Sequence, residues 1–305
     1  MFRIASILIL TLALAAPAQA GFYKGVVAYE RGDYATALRE WRPLAEQGDA
    51  RAQFNLGVMY EKGWGVPQNR VEAVKWYRLS AEQGDASAQF ILGLMHFNGR
   101  GVPENAVEAV KWFRLAAEQG HAKAHTSLGA MYEKGWGVPE NDVEGVKWFR
   151  LAAEQGDADG QFNLGVMYAN GEGVPESLVH AFAWWNLAAA QGRKDAAKNK
   201  DIARNRMTTE QIAQAQRLSQ ELMAKTPTRW QGKTASPPSK PTNPPANSGL
   251  VRDVQLALSN KGFDPGPVDG KPGKKTRAAV RAFQRSIGLP ESGKISPELL
   301  LLLRN

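Results

Sequence analysis

No cysteine occurs among the 305 residues. Its absence rules out disulfides, thiol catalysis, lipid attachment at a cysteine and thiolate metal sites. A chain of this length does not need disulfide staples, because its core is large enough without them. Histidine is scarce too, found only at positions 96, 121, 125 and 180. These positions form no His-Glu-x-x-His pattern or comparable ligand cluster, so neither a metal nor a cofactor is expected. Long apolar runs are also missing: beyond the first twenty residues none approaches the roughly 20 that a bilayer span requires. An apolar fraction of 43% nevertheless implies a packed core over most of the chain. The length suits two domains.

The first twenty residues read as a signal peptide. Arg3 supplies a positive start, Ile4 to Ala16 is an apolar run, and Ala18-Gln19-Ala20 fits the small-x-small cleavage rule with Gly21 next. The alternative is an uncleaved anchor, for which the run is short. Cleavage would leave no membrane span.

Self-similarity dominates residues 21–192. Gly57, Gly93, Gly129 and Gly165 are spaced by 36, as are Trp76, Trp112, Trp148 and Trp184. A fixed period in the range of about 20–50 residues marks a solenoid. Each unit reads as two helices. Asp49, Asp85 and Asp157 follow a glycine and sit where an N-cap belongs, with His121 a weaker cap at the corresponding place. Leu56, Met59 and Tyr60 form one apolar stripe; Ala73, Trp76, Tyr77 and Ser80 form the second. Gly57 interrupts the first helix at a cost of about 1 kcal/mol against alanine, which predicts close approach of a neighbouring helix. Gly63-Trp64-Gly65-Val66-Pro67 and its counterparts form a tight loop. Asn69 with Glu72, Asn105 with Glu108 and Asn141 with Glu144 resemble capping boxes, a pattern that Ser177 and His180 break. Trp64, Trp136 and the Trp184-Trp185 pair could stack on a ligand; packing between repeats is the simpler role. His96 stands in the slot of Tyr60, Tyr132 and Tyr168, as a core substitution.

The pattern Leu-Gly-x-Met-Tyr, Gly-x-Gly-Val-Pro, then Glu-Ala-Val-Lys-Trp-Tyr/Phe-Arg-Leu-Ala-Ala-Glu-Gln-Gly resembles the Sel1-like repeats, relatives of the tetratricopeptide repeats. The resemblance implies an all-α fold, an α-solenoid with a concave partner-binding face. Residues 22–48 look like a degenerate first unit. Residues 193–225 do not continue the period; Thr208-Thr209-Glu210 opens a helix to about Lys225 with Ile212, Ala215, Leu218 and Leu222 on one face, read as the terminal cap that a solenoid needs. Residues 226–249 are a Pro-rich spacer carrying Pro227, Pro237, Pro238, Pro241, Pro244 and Pro245.

Residues 250–305 read as a small three-helix unit. Val251, Val254, Gln255 and Leu258 start one helix, Thr276 can cap a second, and Ser296-Pro297 opens the third. The run Val-Gln-x-Ala-Leu, Gly262-Phe263-Asp264-Pro265-Gly266-Pro267-Val268-Asp269-Gly270, Thr276 to Gln284 and Gly288-Leu289-Pro290 resembles the peptidoglycan-binding-domain family. That implies recognition of cell-wall glycan or its peptide stems in a shallow groove. Where the family usually has an aromatic and then Gly-Pro, this chain has Lys271-Pro272-Gly273-Lys274. Asp269, Thr276, Arg277, Arg281 and Gln284 are the candidate groove residues; Asp269 could instead serve only the loop and Thr276 only the helix.

Charge divides along these lines. Residues 21–192 hold 16 Lys and Arg against 21 Asp and Glu, whereas residues 193–248 hold 11 against 4 and residues 250–305 hold 10 against 5. A basic half could mean nucleic acid in an intracellular protein. With a leader in front of it, peptidoglycan carboxylates or other anionic envelope polymers are the expected partners. The expected function is an exported, periplasmic, non-enzymatic scaffold holding peptidoglycan through one domain and another protein through the solenoid. A secreted factor that binds a host or envelope protein is the alternative. A cell-wall hydrolase is a poorer fit, because repeats, cap and linker leave no room for a catalytic domain. A C-terminal unit that serves only protein contacts is a further possibility.

Overall fold

The computed structural model describes residues 20–226, 248–289 and 291–304. The leader over 1–20 and the spacer over 226–249 fall almost wholly outside the described residues. Those that are described form helices and loops: α1 over 20–30, then α2 (Tyr34–Glu46), α3 (Ala50–Lys62), α4 (Arg70–Glu82), α5 (Ala86–Phe97), α6 (Ala106–Glu118), α7 (Ala122–Lys134), α8 (Asp142–Glu154), α9 (Ala158–Asn170), α10 (Leu178–Ala190), α11 (Lys194–Arg204) and α12 (Thr209–Lys225). The C-terminal unit supplies α13 (Ser248–Asn260), α14 (Lys274–Ser286) and α15 (Pro297–Arg304). Among the described residues no helix is long and apolar enough to cross a membrane.

Each repeat begins and ends its helices with local chemistry. The Asp49, Asp85 and Asp157 carboxylates accept from backbone N–H groups of the following turn, and His121 does the same through Nδ1, 3.2 Å from the Ala124 nitrogen. Asn69, Asn105 and Asn141 cap α4, α6 and α8 through Glu72, Glu108 and Glu144 nitrogens. Only this half of the expected capping box matches. The glutamate carboxylates instead accept from Lys75, Lys111 and Lys147, three residues along the helix. Ser177 caps α10 in the same way, and its hydroxyl also lies 2.9 Å from His180 Nδ1.

The glycines at 57, 93, 129 and 165 have the packing reason expected of them. A Cβ there would stand 2.6 Å from the Tyr77 ring, 2.6 Å from Phe113, 2.5 Å from Phe149 and 2.6 Å from Trp185. Each first helix therefore lets the large ring of its own second helix lie against bare backbone, and the Tyr77, Phe113 and Phe149 rings are fully buried.

Two side-chain ladders join the units. Gln53 donates to the Ala45 carbonyl and accepts from Gln83; Gln89 with Ala81 and Gln119, and Gln161 with Ala153 and Gln191, repeat the set. In the third repeat His125 replaces the glutamine, with Nε2 2.9 Å from the Ala117 carbonyl oxygen and Nδ1 3.3 Å from Gln155 Nε2. The second ladder runs from Arg42, Arg114 and Arg150 to the hydroxyls of Tyr60, Tyr132 and Tyr168. Buried His96 takes the tyrosine's place opposite Arg78. Trp184 and Trp185 are buried in the core of the last repeat, while Trp136 lies against Phe97 and stays 46% exposed.

The helical register runs one helix further than the sequence pattern. The first helix of the next unit would start 36 residues after Ala158, and α11 starts at Lys194. Ala196 and Ala203 fill the places of Ala52 and Met59 in the core, both buried. The reading missed this because α11 has neither the glycine nor the loop that carry the repeat signature. Arg193, at its N-cap position, makes no side-chain cap.

All four histidines are pushed below their ordinary pKa, first of all by burial. Near them, Arg78 also lowers His96, Lys123 lowers His121 and Arg150 lowers His180. A folded-state value below the unfolded one means that the unfolded chain takes up protons first as pH falls. The stabilisation is thus present above about pH 6.5 and is lost as pH drops through the lower folded values. Melting followed by circular dichroism should show a falling Tm between pH 7.5 and 5. His125→Gln, which restores the residue of the other repeats, should flatten that slope, by at most about 1.4 kcal/mol per pH unit. An unchanged slope would show that His125 is not part of the dependence.

Candidate functional site

The C-terminal unit builds its surface on one buried amide. Gln255 of α13 has its Nε2 3.2 Å from Asp269 Oδ1, 3.1 Å from the Lys271 carbonyl and 3.1 Å from Thr276 Oγ1, while its Oε1 accepts from the Gly270 N–H at 2.9 Å. Thr276 donates in turn to the Pro265 carbonyl. These bonds pin the loop over 262–273 against α13 and α14. Beneath them lies a core of Val254, Leu258, Val280, Phe283, Leu299 and Leu303.

The five sequence-predicted residues separate into two groups. Thr276 and Gln284 are buried. Thr276 does not cap α14, whose N-cap position is Gly273 with no side-chain bond; it lies within the first turn and holds the loop. Gln284 fastens the segment after α14, through Ser292 Oγ and the Gly293 N–H. Asp269, Arg277 and Arg281 are exposed. Asp269 accepts from the Lys271 N–H, and this bond first of all holds its carboxyl below the ordinary carboxylate range, with Gln255 adding to the effect. Arg277 donates from Nε to the Pro272 carbonyl, which fixes its stem and leaves the rest of the guanidinium outward. The side chain of Arg281 runs beside Gly293, where an added Cβ would stand 2.8 Å from Nη1.

Sequence reasoning missed Gln255 as the hub of the site, although it named the residue as part of a helix. Lys274, already marked in the sequence as a departure from the family pattern, and Lys275 are exposed and share the first turn of α14. With no acidic residue in that turn, cations crowd the positive end of the helix dipole, an arrangement worth about 0.3–1 kcal/mol against the helix for each charge. Lys275 offsets part of this by donating to the Asp264 carboxylate at 3.4 Å; an anion bound there would offset more. Val268 of the 262–273 loop is 41% exposed and offers an apolar contact. Among the described residues no group of three or more His, Asp or Glu could hold a metal ion.

Comparison with known proteins agrees with both halves of the chain. Residues 247–303 match the peptidoglycan binding domain family. Residues 50–85, 86–121, 122–157 and 158–192 each match the Sel1 repeat. No curated protein matches the chain. Among solved structures it is similar to a protective antigen present in uropathogenic Escherichia coli strains and displaying an SLR fold, with 36% identity over 76% of this chain and a TM-score of 0.65. The chain spans about half of that protein, 52% of its length. It is also similar to a Sel1 repeat protein from Oxalobacter formigenes, with 33% identity, 66% of this chain and 82% of that one covered, and a TM-score of 0.58. Four tandem Sel1 repeats on an α-solenoid, followed by a peptidoglycan-binding-domain match, place this chain in the Sel1 repeat family.

Proposed function

We propose that the protein is an exported, non-enzymatic adaptor of the cell envelope, held on peptidoglycan by residues 250–305 and engaging another protein through its repeats over 21–192. The C-terminal family match supports the first half of this reading more than any other observation. The exposed cations of the 271–281 segment suit the carboxylates of peptide stems, which arginine can grip through its planar fork. Tandem helical repeats support the second half, since such solenoids present extended binding surfaces. A periplasmic location follows from the leader and from where the ligand lies. Similarity to a protective antigen favours, as a second reading, a secreted or surface-displayed factor.

The test is co-sedimentation with washed, protein-free sacculi across a salt series. The full chain should pellet, and a chain ending at Lys225 should stay in solution. Replacing Arg277 and Arg281 together by alanine should weaken pelleting about tenfold, taking roughly 1.4 kcal/mol for the loss of two exposed charge-assisted contacts. Binding should weaken as salt rises, because the contacts are solvent-exposed. If full chain and truncation behave alike, the wall-binding half of the proposal fails and the chain is a protein-interaction factor only.

A further inference from the structure

The second helices of the repeats carry an apolar stripe on the side away from their partners. Val71 and Leu79 on α4, Val107 and Leu115 on α6, and Val143 and Leu151 on α8 are spaced by eight residues. The valines are 53–56% exposed and the leucines 43%. Midway in each stripe stands a lysine: Lys75, Lys111 or Lys147. On α10 the same places hold Val179, Ala183 and Leu187, and here Ala183 and Leu187 are buried, at 0% and 4% exposure.

The cover on α10 is α12. Val179 and His180 face Gln214, Arg217, Leu218 and Glu221 across one groove, and Leu222 joins the core that contains Leu187. α12 presents small residues at its centre, with Ala215 and Ser219 both buried, flanked by half-buried Ile212, Leu218 and Leu222. The chain thus contains one worked example of what this stripe accepts: an amphipathic helix with a narrow waist. On α10, which packs against α12, fully buried Ala183 stands where the other stripes have lysine.

Resting on the reading that the repeats engage another protein, we infer that the stripes on α4, α6 and α8 are docking sites for an amphipathic helix of that partner, one carrying a carboxylate in the middle of its apolar face. The lysine favours a carboxylate, because closing an apolar helix over an ammonium group desolvates it and a carboxylate on that helix restores a partner at the buried position. Each lysine now rests on a neighbouring glutamate, at 2.9, 2.9 and 2.5 Å. Such exposed pairs contribute little, so the lysine is easily redirected. The one helix seated on such a stripe, α12, comes from outside the repeats, so the occupant is taken as a helix of a different chain and a second copy as an outcome of the test.

The probe is a fluorescein-labelled peptide with the sequence of residues 207–226 carrying Ala215→Glu, titrated with the full chain and read by fluorescence anisotropy. It should bind at least about fivefold tighter than the unaltered peptide, the fold-change corresponding to roughly 1 kcal/mol for one partly buried charge pair. The triple variant Leu79→Asp, Leu115→Asp, Leu151→Asp should abolish this binding while keeping the helical circular dichroism of the parent. If the triple variant does not fold, Leu115→Asp alone should lower the number of bound peptides by one. Binding that ignores these substitutions, or a preference for the unaltered peptide, would overturn the inference. So would sedimentation showing a dimer of the full chain that Leu115→Asp dissolves, since that would make a second copy the occupant.

Discussion

Replacing Gln255 by leucine is expected to unfold the C-terminal unit and to leave the repeats folded. Leucine has a similar volume and would keep the packing, so the effect isolates the polar contacts. The change removes every hydrogen bond that the amide makes to Asp269, Lys271, Thr276 and Gly270. The Gly270 N–H is buried and would lose its partner. One such orphaned group costs about 1–3 kcal/mol, and release of the loop adds to it. A core in a unit of this size supplies only about 3–5 kcal/mol in total. The loss is therefore comparable to the whole stability of the unit. Trypsin should cut rapidly after Arg277, Arg281 and Arg285 in the variant, while the repeats resist, and sacculus binding should fall to the level of the chain ending at Lys225. Unchanged cleavage rates would mean that the loop is held by its other contacts and that Gln255 is not the hub.

The second large effect is expected at Gly137. Its φ is +70°, and a Cβ there would stand 2.4 Å from the carbonyl carbon and oxygen of Ala106, the first residue of α6. Gly101 stands in the same relation to Arg70, and Gly173 to Asp142. The loops at Gly101, Gly137 and Gly173 thus lie on the start of the preceding second helix, backbone against backbone, and no side chain can turn aside to make room. Gly137→Ala bears the left-handed penalty of about 1–2 kcal/mol and the opening of the joint besides, for a total of about 3–4 kcal/mol. For a repeat array of this size that lowers Tm by about 6–16 °C. Gly120→Ala is the matched comparison. Its φ is +79°, but nothing lies within 4 Å, so only the backbone penalty applies. Melting both variants separates strain from contact, and equal losses would show that the close approach has no energetic consequence.

The period of 36 residues, the helix pairs and most of the caps were legible in the sequence because their causes lie within a few residues of each other. Asp49 caps a nitrogen three residues on, and the Gly63 loop closes onto Met59. The ring of the second helix was not legible as the reason for Gly57, since Tyr77 is twenty residues away, but the cost of a mid-helix glycine announced that some reason existed. Residues 250–305 gave up their helices readily and their site less so. Thr276 looked like a cap because it opens an apolar helix, yet its hydroxyl serves Pro265, eleven residues earlier, and accepts from Gln255, twenty-one residues earlier.

What the sequence by itself determined was the repeating unit, for which each signal is local: a cap, a turn that demands glycine, a stripe at helical spacing. What only the tertiary structure decided was how units meet. The placement of α11 in the fifth register, the seating of α12 on the α10 stripe and the convergence on Gln255 depend on burial between segments far apart in the chain. Alanine at 183, 196 and 203 carries no distinctive pattern; its meaning is the absence of side chain where another helix passes, and that is visible only once the other helix is in place.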